Sequence, residues 1–368
     1  MKLSRPLQAH YSPQKGWIND PNGLCYFQGY YHLFYQHAPD YERPWRQPMH
    51  WGHARTQDFI HWEELPVALY PDQWYDAQGC FSGTALVKED TLYLFYASIQ
   101  HPEGAETDLQ TVSVAYSKDG IHFEKFAGNP VISHYPPEGS PDFRDPAVSI
   151  IGNKAYCVMA SAHVESKEAR LLLYESDDLF TWRFANTMCR WENGKFAECP
   201  SFMAAGDQYL LAASVCPLNA LHYFRVMYGS FENGGFTPQI QANVDQGPDQ
   251  YAGQVFTDPQ GRQLLITWIP GWHYAGKFDR DIGCMSVPRE LFIRNGKVCA
   301  YPVQEVQHLL KDHDPALERT ENGFIIHRET QEDIIYAGEI RELKILREQY
   351  ILEVFINGGE TVYTAVLC

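Results

Sequence analysis

The chain has 368 residues, with 29 Lys and Arg against 46 Asp and Glu, for a formal net charge of -17. So negative a surface repels phosphate backbones and anionic headgroups, which excludes nucleic acid and membrane surfaces as expected partners and leaves a neutral small molecule such as a sugar. The nine cysteines are odd in number, widely spread and without a C-x-x-C pair, so they read as buried reduced thiols rather than a disulfide framework or zinc site.

The N-terminal stretch MKLSRPLQAHYSPQKG carries no apolar run, and no later window approaches a membrane span, so a cytoplasmic location is expected. The first notable element is GWINDPNGL, residues 16 to 24, where Asp20 sits between Asn19 and Pro21 directly ahead of the apolar LCYF. Taken alone, Asn19, Asp20, Pro21, Asn22 and Gly23 suit a turn that opens a strand. From there to about residue 300 the chain is a succession of short apolar and aromatic runs bounded by Gly, Asn and Asp, with almost no sustained helical periodicity, which predicts an all-β fold.

Three segments repeat: ARTQDFIHWEEL (54 to 65), AYSKDGIHFEKF (115 to 126) and YESDDLFTWRFA (174 to 185). Each has a small or polar residue, an acid, a turn and then an aromatic, and Asp58, Asp119 and Asp178 are 61 and 59 residues apart. A period near sixty built from several strands suits a propeller blade, and the stretch from about 17 to 300 holds about five of them. The strand that opens each blade is expected in NDPNGLCYF, FSGTALVKE, RDPAVSIIG, ECPSFMAAG and DQYAGQVFT, which begin at Asn19, Phe81, Arg144, Glu198 and Asp249. Equivalent positions in successive blades surround one axis, so Asp20, Ser82, Asp145, Glu198 and Asp249 are expected to converge on one funnel.

Beyond the fifth run, PVQEVQHLLKD (302 to 312) reads as a helical linker, assigned to residues 301–312, and only 56 residues follow it. In ILEVFI, Leu352, Val354 and Ile356 face one side and Ile351, Glu353 and Phe355 the other, a pattern that requires cover on both faces. A module of residues 313–368 is too small to supply both covers itself, so it is expected to dock on the rest of the chain or on another subunit of a homo-oligomer.

The motifs resemble glycoside hydrolase family 32, the invertases and fructan hydrolases: WINDPNG (17 to 23), FRDP (143 to 146) and ECP (198 to 200) match its three acidic motifs in order. YHLFYQH, MHWGHA, FSGTA, DQGPDQYAGQVF and VPREL match further along, so the resemblance covers residues 5 to 300. It implies a five-bladed β-propeller, residues 1–300, followed by a β-sandwich, here shortened, and hydrolysis of β-D-fructofuranosides with retention. Asp20 then corresponds to the nucleophile, Glu198 to the acid/base and Asp145 to a stabiliser of the transition state. Chemistry supports that division: a retaining glycosidase needs two carboxyl groups about 5 to 5.5 Å apart, one to attack and one to protonate the leaving group.

Around these acids, Trp17, Trp45, Phe81 and Trp272 are candidates for stacking on a sugar, Asn19, Gln36 and Ser82 for binding its hydroxyls, Arg144 for holding a sugar oxygen and keeping Asp145 ionised, and Asp249 for a further contact. No metal or cofactor is expected, since His50, His53 and His61 fit no compact ligand motif and the chemistry requires none. Gln250 departs from the aromatic that often follows the acid in the family. The expected substrate is sucrose or a short fructo-oligosaccharide, with sucrose 6-phosphate included. The rival readings are a fructosyltransferase sharing the covalent intermediate, a non-catalytic carbohydrate-binding propeller and a five-bladed arabinan or xylan hydrolase.

Overall fold

A computed structural model describes residues 6–40, 48–272 and 283–368. Five antiparallel sheets follow one another along the chain, each formed by consecutive strands. The first contains Trp17–Phe27, Tyr30–Ala38, His50–Thr56 and Glu63–Leu69, and the second Gly79–Lys88, Thr91–Gln100, Leu109–Ser117 and the short Glu124–Lys125. The third contains Phe143–Ile151, Lys154–His163, Glu168–Ser176 and Arg183–Glu192, and the fourth Gly194–Ala205, Gln208–Pro217, Tyr223–Glu232 and Gly235–Asn243. The fifth runs Tyr251–Thr257, Gln263–Ile269, Arg289–Arg294 and Lys297–Pro302, with Cys284–Met285 also paired to Gln263–Ile269. The opening strand of each sheet contacts that of the next, and Tyr251–Thr257 contacts Trp17–Phe27, so the contacts among opening strands form a closed circuit.

The repeated acidic segments are turns between the third and fourth strands of the first three sheets. Thr56, Ser117 and Ser176 each accept the backbone N–H three residues on, while Asp58, Asp119 and Asp178 each accept two further N–H groups. The residue following each acid has a left-handed backbone, at φ 61° for Phe59, 72° for Gly120 and 74° for Leu179. These turns satisfy backbone donors that the sheet edge leaves over, which is why their residue pattern recurs with the sheets. Of the histidines weighed above, His61 caps its turn through Asp58 and His53 is buried against His32, and among the described residues no group of His, Cys, Asp and Glu is arranged to hold a metal ion.

After the fifth sheet a 3-10 helix spans Gln304–Leu309, then two three-stranded sheets follow: Leu317–Thr320, Gly323–Ile326 and Ile334–Ala337, then Leu343–Glu348, Ile351–Ile356 and Thr361–Val366. Their facing sides share one core containing Phe324, Ile326, Leu352, Val354 and Ile356. The other side of Ile351–Ile356 packs on the preceding sheets, Phe355 with Val298, Ala300 and Val303, and Ile351 with Ile269 and Cys284. The same chain therefore covers both faces of this strand, with no second copy required. Glu353 points to the same side as Phe355 and is buried in a charge network: it accepts from Arg289 at 2.9 Å and bonds His10 at 3.0 Å, while Arg289 also donates to Asp245 at 2.7 Å and to Thr364 at 2.7 Å. Docking is close, since a Cβ on Gly247 would lie 2.1 Å from the Thr364 carbonyl oxygen. Among the described residues no helix is long and apolar enough to cross a membrane.

Candidate active site

The three acidic motifs share a backbone device. Strand pairing skips between Ile18 and Pro21, between the partners of Arg144 and Ala147, and between Glu198 and Ser201, so NDP, RDP and ECP each fall in a β-bulge. A bulge leaves residues outside the ladder, which accommodates a proline that cannot donate, and it turns the neighbouring side chains out of the strand's regular alternation. Asp145 and Cys199 sit in the left-handed region at φ 59° and 48°, conformations that non-glycine residues adopt only where the surroundings enforce them. Within GWINDPNGL, all but Gly16 accordingly belong to a bulged strand rather than a turn ahead of one.

These strand ends open into a cleft of about 580 Å3 lined by Asp20, Gln36, Phe81, Ser82, Gln110, Asp142, Arg144, Asp145, Phe196, Glu198, Cys216, His222 and Trp272. Asp20 accepts from Ser82 Oγ at 2.7 Å and from the side-chain amide of Asn19 at 3.0 Å, and the Cys199 thiol lies 3.5 Å from it. Asp145 accepts the backbone N–H of Cys199 at 2.8 Å. Glu198 receives two donors from Arg144 on Oε1, at 3.1 and 2.9 Å, and the Tyr251 hydroxyl on Oε2.

Burial pushes the Asp20 carboxyl above its usual range, the Glu198 charge adds to this, and the bonds from Ser82, Asn19 and Cys199 oppose it. Asp145 is pushed up to about 7, first by burial and then by Glu198 and Asp20, against the lowering effect of Arg144. Arg144 therefore acts on Asp145 in the expected direction, favouring its ionised form, and burial opposes it. The guanidinium is directed at Glu198 and at Asp142, 2.8 Å away, and its charge does not outweigh the desolvation of Asp145. One buried and two half-buried carboxyl groups with one neighbouring cation make a site short of positive charge, suited to a reacting group that becomes cationic.

With that geometry, the family comparison is decisive: the model of the glycosyl hydrolases family 32 N-terminal domain matches residues 10–302. The chain belongs to glycoside hydrolase family 32. It is 36% identical over 339 residues to the sucrose-6-phosphate hydrolase of Escherichia coli, covering 88% of this chain and 70% of that protein. It is 35% identical over 322 residues to the raffinose invertase of Escherichia coli, covering 83% of this chain and 66% of that one. The chain thus spans about two thirds of the length of the raffinose invertase and slightly more of the sucrose-6-phosphate hydrolase. Among solved structures, a variant of the GH32 beta-fructofuranosidase of Bombyx mori in complex with sucrose aligns at a TM-score of 0.85 and 27% identity, over 98% of this chain and 88% of that one.

Within this family 32 site the remaining candidates separate. Ser82, Phe81, Arg144 and Trp272 line the cleft, as does Gln36, whose amide nitrogen donates to the Cys80 carbonyl while its oxygen has no partner among the described residues. Asn19 does not line it; buried between the Trp17 indole, 2.7 Å away, and Asp20, it orients the carboxylate. Trp17 is core, edge-on to Trp268, rather than rim. Trp45 lies outside the described residues. The substrate-binding expectation for Asp249 is corrected: it is fully buried away from the cleft and accepts from Arg328 at 2.7 Å and from the Val366 N–H at 2.8 Å, so its charge anchors the C-terminal module. Gln110, Asp142, Phe196, Cys216 and His222 line the cleft without having been expected there. Of these only Asp142 carries a sequence signal, two residues ahead of RDP.

Proposed function

We propose that this chain is a retaining β-fructofuranosidase that removes terminal β-D-fructofuranosyl residues from sucrose or short fructo-oligosaccharides through a covalent fructosyl-enzyme. The observation carrying this reading is the convergence of Asp20, Asp145 and Glu198, from three separate sheets, on one cleft. Asp20 is the nucleophile, since the donors from Ser82 and Asn19 favour its ionised form and aim it into the cleft. Glu198 is the acid/base: it gives a proton to the glycosidic oxygen as Asp20 attacks C2 of fructose, then takes one from the water that hydrolyses the intermediate. Asp145 answers the positive charge that spreads over C2 and the ring oxygen, a charge that favours ionisation of the very carboxyl which burial holds near neutrality. Gln36 places its side-chain amide in the cleft wall for a fructose hydroxyl, and Phe81 and Trp272 offer ring surface to its C–H faces.

The reading extends to architecture. Residues 1–300 form a five-bladed propeller, 301–312 a linker and 313–368 a shortened sandwich, supported by five sheets with a closed circuit of inner-strand contacts and by two small sheets sharing one core. Product analysis on sucrose, sucrose 6-phosphate, kestose, inulin and levan tests the activity. Release of fructose from at least one of them is expected, and no release from any would overturn the reading.

A further inference from the structure

Behind Glu198 lies a chain of hydroxyl and thiol groups that the mechanism above does not use. The buried Tyr251 hydroxyl, which donates to Glu198 Oε2, lies 3.0 Å from the sulfur of Cys216, and either of those two atoms can be the donor. Cys216 is cross-strand from Phe196 at the end of Gln208–Pro217, and its half-buried side chain lines the cleft. Burial and the Glu198 charge push the thiol up to about 12 and hold the phenol well above its usual value, so both remain protonated at neutral pH.

An acid/base must alternate between two protonation states, and each asks something different of its neighbour. Ionised Glu198 accepts the Tyr251 O–H, and the phenolic oxygen is then free to accept the Cys216 S–H. With two Arg144 donors on Oε1, a proton added to Glu198 goes to Oε2, the oxygen that Tyr251 addresses. The tyrosine then needs a different acceptor, and the nearest is the sulfur, which both donates and accepts weakly. We propose that Cys216 is a positioning residue for the acid/base: by serving as the alternative partner of the Tyr251 hydroxyl, it lets Glu198 hold its proton for the leaving group. This rests on the reading of Glu198 as the acid.

Other charged and titratable groups facing this chain are identifiable. Arg144, Asp145 and Asp20 face Glu198, Asp142 pairs with Arg144, Lys195 and Arg144 act on Cys216, and the His222 ring meets Tyr251 at 4.3 Å. All are retained in the variants below, so a limb of the pH profile that belongs to one of them stays in place.

The test is the pH dependence of kcat/KM on sucrose for wild type, Cys216→Ala, Cys216→Ser, Tyr251→Phe and the Cys216→Ala/Tyr251→Phe double variant. Without the sulfur, the hydroxyl has only Glu198 Oε2 to address among the described residues, which favours the ionised acid. Cys216→Ala is therefore expected to move the alkaline limb about half a unit to lower pH and to lower kcat/KM up to roughly threefold at neutral pH, with a smaller loss on an aryl fructoside. Serine, which donates and accepts, restores the limb, and in the Tyr251→Phe background removal of the thiol no longer moves it. An unmoved limb in Cys216→Ala, or serine performing no better than alanine, overturns the proposal. If wild type releases no fructose, the functional reading itself has failed; if wild type is active and Glu198→Gln shows the leaving-group dependence of an acid, an unmoved limb counts against Cys216 alone.

Discussion

The opening strands of the five sheets end in two cavities of nearly equal size, of which one gathers the acids and the other does not. At their N-terminal ends, a cleft of about 580 Å3 holds Asp20, Asp145 and Glu198 on bulged backbone. At their C-terminal ends, a cavity of about 560 Å3 is lined by regular ladder positions including Tyr26, Val87, Ile150, Met203 and Phe256. Both ends belong to the same strands, so strand geometry alone does not place chemistry. What differs is the bulge, which takes residues out of the ladder, aims polar side chains inward and leaves carboxyls desolvated beside one another. Among the described residues the far end carries no cluster of carboxyl groups, and apolar side chains such as Val87, Ile150 and Phe256 make up much of its lining, as on a sheet that little redirects.

The largest effect should come from the near end. Asp20→Asn keeps the shape and one acceptor but cannot form the fructosyl bond, so kcat/KM on sucrose should fall roughly a thousandfold or more with an unchanged melting temperature. Turnover close to wild type would remove Asp20 from the nucleophile role and with it the contrast between the two ends.

Next in size is Glu198→Gln, which should lose on the order of a hundredfold or more on sucrose and far less on a nitrophenyl fructoside, whose leaving group departs without a proton. Equal losses on both substrates would show that Glu198 is not the acid, leaving the near end with a nucleophile and no proton donor.

How much of this was legible in the sequence follows from how local each feature is. The opening strands and their acids recur at intervals of 51 to 63 residues beside a proline or glycine, so repetition exposes them even though no single NDP or RDP would. Asp249 shares that phase and is nonetheless elsewhere, because its strand begins two residues later, at Tyr251, and its partner Arg328 is 79 residues away in another module. No local pattern announces such a pairing. Gln110, Cys216 and His222 reach the cleft from second and third strands or the loops joining them, where the sequence looks like any core β-segment. Both covers of Ile351–Ile356 were implied by its doubly apolar pattern, whereas the buried His10, Arg289 and Glu353 that join the modules were not, since a charge inside a core reads in sequence as a charge on a surface.

That charge network lies at neither cavity, and it sharpens the comparison by predicting stability effects without kinetic ones. Burial lowers the pKa of His10, but its bonds to Glu348 and Glu353 more than offset this and raise it from 6.5 to about 9, while Glu348 is held at about 2 by His10 despite its own burial. For His10 the folded value is above the unfolded one, so its stabilisation is fully present below pH 6.5 and is lost as pH rises through 9, a contribution on the order of 3 kcal/mol. The wild-type melting temperature should therefore decline by several degrees between pH 6.5 and 9, and His10→Gln should melt lower at pH 6.5 with a flatter profile. Parallel profiles for the two proteins would show that His10 is not the titrating group.

The smallest effect is expected at the far end, where a charge tests whether the two cavities are independent. Ile150 is 39% exposed and Val87 is 39% exposed, so Ile150→Lys and Val87→Lys remove little buried surface and create no buried charge. Ile150 is six residues along its strand from Arg144, roughly 20 Å at about 3.3 Å per residue, and about two and a half Debye lengths at about 0.15 M ionic strength separate the new charge from the carboxyls. Screening at that distance leaves little potential at Glu198, so kcat/KM on sucrose should stay within about twofold of wild type and both limbs of its pH profile should coincide with those of the parent. Repeating the profile at about 0.01 M salt, where the Debye length is about 30 Å, gives the lysine its best chance to act. A limb that moves at low salt and returns at high salt would show that the far cavity is electrically coupled to the acids. A large loss of kcat at any salt would mean that the inner strands transmit changes from one end to the other, and the division of the molecule into a reactive end and a structural one would have to be abandoned.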